Sequence, residues 1–131
     1  MITVERSKAN DIEFRLNLRR SILQNAIRRH LHQSDDPKIM AFANHMSEVE
    51  DWVEADLLND LDIAQCNLEL AELRAIDIAL SGIKAGTYGV CVDCAEAISW
   101  ARLNAAPTAL RCVDCQEKYE KAYVNLANAL I

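Results

Sequence analysis

Apolar residues recur at helical intervals along most of the chain, and the places where that rhythm stops divide it into a few long elements. From about Ala9 to His32, the residues Ile12, Leu16, Leu23, Ile27 and Leu31 fall on one stripe, with Phe14, Leu18 and Ile22 close beside it, which predicts a first helix. Ser34-Asp35-Asp36-Pro37 interrupts it, because Pro37 lacks a backbone donor and biases Asp36 away from helical angles; Ser34 or Asp35 is placed to cap a short helix restarting at Pro37 and running to about His45. A second helix is predicted from about Ser47 to Lys84, free of Gly and Pro until Gly82, with Leu57, Leu61, Ala64, Leu68, Ala71, Ala75 and Ile78 at 4-3 spacing as a coiled-coil seam. At 1.5 Å per residue it would be ~55 Å long, more than a compact domain of this size needs, so it is expected to project. Its expected partner is the first helix laid antiparallel.

The half of the second helix nearer the C-terminus carries another apolar row, Ile63, Cys66, Leu70, Leu73, Ile76 and Leu80. Two apolar sides imply packing on two sides. The matching surface is read in a last helix from about Val113 to Ala129, where Tyr119, Tyr123, Leu126 and Leu130 are spaced 4-3-4, so this helix is expected to lie on the coiled-coil base. Cys66 then reads as a small buried hydrophobe. The distal half keeps only Val49, Val53 and Leu57 among Glu48, Glu50, Asp51, Glu54, Asp56 and Asp60, and holds Trp52, which either packs on Phe42 and Met46 or meets a partner. The fold class is therefore mostly α: an antiparallel coiled-coil hairpin over 1–84 with its tip near 45–56, a small cysteine-bearing module over 85–116, and a C-terminal helix over 117–131.

Composition supports this outline. The 131 residues include only three glycines and two prolines, and 51% are hydrophobic. Net charge is −6, unevenly spread: from Glu5 to Gln33 seven basic residues face three acidic ones, whereas from Asp35 to Asp77 two face twelve. Opposite charges thus flank the proposed helix pair, and the acidic middle repels nucleic-acid phosphates, which favours a protein partner over DNA. No apolar run approaches a membrane span and the first ten residues lack a signal-peptide core, so a cytoplasmic chain is expected.

The chemistry is concentrated in two identical Cys-Val-Asp-Cys clips, Cys91/Cys94 and Cys112/Cys115, with 17 residues between them. Two such clips present four thiolates to one point and close a tetrahedron, which points to one structural Zn²⁺ with no open position for catalysis. Two disulfides and rubredoxin-like iron are the alternatives. Asp93 and Asp114, inside the clips, are expected to stay solvated. No phosphate-binding glycine loop, Ser/His/Asp order or spaced histidine set is present, so no enzyme activity is expected.

Gly86-Thr87-Tyr88-Gly89-Val90-Cys91-x-x-Cys94, then Ile98, Arg102-Leu103-x-Ala105-x-Pro107-Thr108 and Cys112-x-x-Cys115-Gln116, resembles the DksA/TraR zinc-finger family of bacterial transcription factors. The resemblance implies a factor that binds RNA polymerase rather than promoter DNA, inserting its coiled-coil tip into the secondary channel while the zinc region and C-terminal helix rest outside. Counted back without gaps from the first clip, the family's tip pattern Asp-x-x-Asp-x-Ala falls on Glu48, Asp51 and Val53, with Trp52 beside them. The same count puts Ala75, Ala106 and Gln116 where DksA-type members carry cations for guanosine tetraphosphate, so a weak or absent alarmone response is expected.

Two other classes remain in view. A zinc-ribbon nucleic-acid binder needs a basic, aromatic-bearing finger, and residues 95–111 offer only Arg102, Arg111 and Trp100. A thiol redox sensor would use the clips themselves. A monomer without sequence-specific DNA binding is expected.

Overall fold

The computed structural model describes residues 4–33, 35–41 and 67–129. Helix α1 runs Arg6–His32, α2 Asn67–Ala85, α3 Trp100–Ala105 and α4 Val113–Ala129. The described residues contain no strand, only an isolated antiparallel bridge between Val90 and Ala97. The protein is thus mostly helical. None of its described helices is long and apolar enough to cross a membrane.

Contacts group the chain into two compact units, one formed by Met1–Glu13 with Ala79–Ile131 and the other by Phe14–Ile78. In the second unit α1 and α2 run antiparallel, as their ion pairs require. Arg20 meets Asp77 at 2.8 Å, while His30, ten residues further along α1, meets Glu69, eight residues earlier on α2, at 3.2 Å. Arg19 grips Glu72 with two bonds of 2.7 and 2.9 Å. Basic side chains of α1 therefore face acidic ones of α2, as the charge pattern implied. These pairs are half exposed, so each contributes at most ~1 kcal/mol and the apolar rows between them supply most of the stability.

On α1 the buried row is Ile12, Leu16, Leu23, Ile27 and Leu31, the predicted stripe, and Phe14, Leu18 and Ile22 are exposed. On α2 the buried row is the second predicted one, not the expected seam. Leu70, Leu73 and Ile76 are buried, whereas Leu68 of the expected seam is 87% exposed and Ile78 54%. Side-chain size explains the inversion: two of the four seam positions within α2 are Ala71 and Ala75, so turning Leu70, Leu73 and Ile76 inward removes far more apolar area from water. Leu80 of the second row is half-buried, and Leu57, Leu61, Ile63, Ala64 and Cys66 lie outside the described residues.

Two boundaries follow local chemistry. After α1, the helical residues 37–41 are capped by Asp36 rather than Ser34 or Asp35: Asp36 Oδ1 accepts from the Lys38 amide at 2.9 Å. Pro37 as first helical residue makes Asp36 the cap by position. Helix α2 ends in a paired C-terminal turn, with the Thr87 amide on the Gly82 carbonyl at 2.9 Å and the Gly86 amide on the Ile83 carbonyl at 3.2 Å. Gly86 adopts φ 77°, the left-handed conformation this ending demands, and aims the chain into the cysteine module.

Candidate metal centre

Each clip is held by backbone bonds that the intervening residues provide. Around the first, the Cys91 amide donates to the Glu96 carbonyl at 2.8 Å and the Ala95 amide to the Cys91 carbonyl at 3.0 Å, with Ile98 to Gly89 at 2.8 Å closing the small loop. Ala95 sits at φ 62°, a left-handed residue that turns the chain out of the clip at some steric cost. The second clip opens α4: the Gln116 amide donates to the Cys112 carbonyl at 2.9 Å, so Cys115 lies in the helix's first turn.

The residues between the clips explain the rest of the motif. Ser99 caps α3 through Arg102 N at 3.3 Å, and Leu103 is fully buried. The Tyr88 hydroxyl donates to the Pro107 carbonyl at 2.7 Å, fixing the strap after α3 to the glycine-aromatic turn before the first clip. Arg102 Nε donates to the Arg111 carbonyl at 2.8 Å, and the Val92 amide to the Leu110 carbonyl at 2.9 Å, which carries the strap across to the first clip.

The outcome is that Cys91, Cys94, Cys112 and Cys115 bring their sulfurs within 4.8 Å of one another. Cys94 Sγ and Cys112 Sγ are 3.9 Å apart. Zinc–sulfur bonds of ~2.3 Å in a tetrahedron require sulfurs ~3.8 Å apart, so the spacing fits a zinc ion. A disulfide, with sulfurs ~2.05 Å apart, does not describe this cluster. The thiol chemistry agrees. The Cys94 backbone amide holds Cys91 down to about 6 against its burial, with the amides of Cys112 and Asp93 helping. Cys115 is pushed up to about 12 by the thiol of Cys112, then by burial and the other two sulfurs. Cys94 is also raised: the Glu96 amide pulls it down, but contact with Cys91, burial and Cys112 outweigh that pull. Four crowded sulfurs cannot all ionise on their own, and a divalent cation supplies the charge that lets them do so. Among the described residues, no other group of three or more His, Cys, Asp or Glu side chains forms a possible metal site.

Asp93 stays exposed, as expected, and in addition accepts from Arg111 Nε at 2.8 Å on its Oδ2. One expectation is corrected here. Tyr119, Tyr123 and Leu126 are exposed at 49, 66 and 61%, so the described face of α4 is not packed as its 4-3 spacing suggested. Arg111 also lies over the Tyr119 ring, 4.1 Å from its centroid. A cation next to one clip and an acid inside the other was the available sequence signal for this contact. The predicted tip residues Glu48, Asp51, Trp52 and Val53 lie outside the described residues.

A closed four-sulfur site on a helical frame defines a structural zinc finger. A family model of the prokaryotic dksA/traR C4-type zinc finger matches residues 86–121. The RNA polymerase-binding transcription factor DksA of Caulobacter vibrioides is 32% identical over 78 residues, covering 60% of this chain and 54% of that protein. The transcription factor DksA2 from Pseudomonas aeruginosa has a similar structure, with TM-score 0.59 at 25% identity over 91% of this chain and 88% of that one. The DnaK suppressor protein from Agrobacterium tumefaciens gives 0.51 at 31% identity, over 83% and 91%. The chain belongs to the DksA/TraR C4 zinc-finger family. It spans about half the length of the curated relatives it matches.

Proposed function

We propose that the protein is a transcription regulator that binds RNA polymerase and places a helical tip in the secondary channel to modulate initiation. The observation that carries this reading is the zinc module itself, whose clips, glycine-aromatic turn and strap are those of a family with RNA polymerase-binding members. The antiparallel pairing of α1 and α2 through arginine–carboxylate contacts supports it, since such a pair forms the stem a projecting tip requires. Glu48, Asp51, Trp52 and Val53 are the proposed tip contacts.

The finger is poorly suited to gripping nucleic acid. Of its cations, Arg102 is spent on the Arg111 carbonyl, and Arg111 on Asp93 and Tyr119. Trp100, the finger's aromatic candidate, is half-buried and has Lys8 over its ring at 5.1 Å. Alarmone dependence at this protein's own site is expected to be weak. Ala75 and Ala106 bring no charge, and the Gln116 side-chain amide donates to Glu120 at 3.0 Å.

Competition with an established secondary-channel factor for RNA polymerase tests the reading. Displacement of that factor, with Asp51→Asn retaining binding but losing the transcriptional effect, is the expected result. Simultaneous occupancy without competition would refute channel binding.

A further inference from the structure

Beside the sulfur cluster, the contacts of Arg111 reach three parts of the finger. Its Nε donates to Asp93 inside the first clip at 2.8 Å. Its guanidinium lies 4.1 Å from the centroid of Tyr119 on α4. Its carbonyl receives Arg102 Nε from α3 at 2.8 Å, and the next residue is the zinc ligand Cys112. The Arg111 side chain is only 22% exposed, so the fork is held between carboxylate and ring rather than waving in solvent. A planar guanidinium does both jobs at once, donating in its plane and stacking by its face, which a lysine ammonium cannot do.

We infer that Arg111 is a positioning residue that couples the zinc site to the C-terminal helix: through Asp93 and Tyr119 it ties the first clip to α4, so zinc retention and the seating of α4 depend on each other. The first clip is covalently remote from α4, and zinc joins them through sulfur. Arg111 makes a second bridge that does not pass through the metal. With that bridge in place, a sulfur that dissociates is held near its partners and rebinds, which slows zinc loss. Groups that orient metal ligands in this way alter metal affinity by roughly 10- to 100-fold when removed. The inference is independent of which partner the protein binds.

Zinc transfer from the purified, zinc-loaded full chain to a chromophoric chelator tests the coupling, with Arg111→Ala, Arg111→Lys, Asp93→Asn, Tyr119→Leu and the Asp93→Asn/Tyr119→Leu double variant. Arg111→Ala is expected to speed transfer about tenfold. Arg111→Lys restores only part of this. Asp93 and Tyr119 interact through Arg111, so their double variant is expected to release zinc no faster than Arg111→Ala, short of the product of the two single effects. The Arg111 Hε resonance, shifted by the Tyr119 ring current, should move when zinc is removed. Unchanged transfer in Arg111→Ala, or single effects at Asp93 and Tyr119 that simply multiply, would overturn the proposal. Should Arg111→Ala not fold, the Asp93 and Tyr119 variants carry the same test.

Discussion

The finger and the helix pair reach order by different routes. In the finger, position is set by single bonds with named partners: Tyr88 to Pro107, Arg102 to Arg111, Cys91 to Glu96. In the helix pair it is set by rows of interchangeable apolar side chains, with ion pairs selecting the match. A bond-built region depends on its clamp, whereas a row-built region depends on summed area. The two should therefore fail under different insults.

Metal removal should show the largest difference. Structural zinc contributes ~10 kcal/mol or more to modules of this kind. Chelation is expected to accelerate exchange of the Cys91, Val92, Ala95 and Ile98 amides by at least on the order of 100-fold, leaving the α1 amides from Leu16 to Leu31 protected. Acid should act in the same direction, since protons compete for the thiolates and affinity falls as pH falls. Equal loss of protection in both regions, followed by hydrogen-exchange mass spectrometry, would erase the distinction.

Within the helix pair, Leu73→Ala should cost 2–5 kcal/mol in urea unfolding, roughly the range for a fully buried leucine, and Leu68→Ala under about 0.5 kcal/mol. The opposite order would restore the 4-3 row as the seam. In the finger, Ala95→Gly should stabilise the zinc-bound form by ~1 kcal/mol, because Ala95 holds φ 62° with an exposed side chain. A loss of stability would show that its Cβ is needed.

Glu72 gives the smallest effect. Its carboxyl is held below the usual range by the bond from Arg19, opposed by partial burial. Because the folded-state value is the lower one, this contribution is present above the unfolded value near 4.5 and lost as pH falls through the folded one. The pair is nearly half exposed, so Glu72→Gln should cost about 0.5 kcal/mol at neutral pH and nothing in strong acid. A stability difference that persists in acid would assign it to packing.

This contrast also explains what was legible in the sequence. The cysteine clips were readable because ligand spacing is a covalent property, and the α1 stripe because Ile12, Leu16, Leu23, Ile27 and Leu31 outweigh the shorter Phe14, Leu18 and Ile22 row. Helix α2 offered two apolar rows, and spacing alone favoured the one with the weaker side chains. The Arg111 bridge was hidden for another reason. Its partners Asp93 and Tyr119 lie 18 and 8 residues away, and only the folded strap brings them to one side chain.

Equilibrium binding of the zinc-loaded chain to RNA polymerase, with duplex DNA and single-stranded RNA measured alongside at physiological salt, addresses the functional claim most directly. Saturable binding to polymerase, with neither nucleic acid retained, is the predicted result. Tight binding to DNA or RNA with none to polymerase would contradict it.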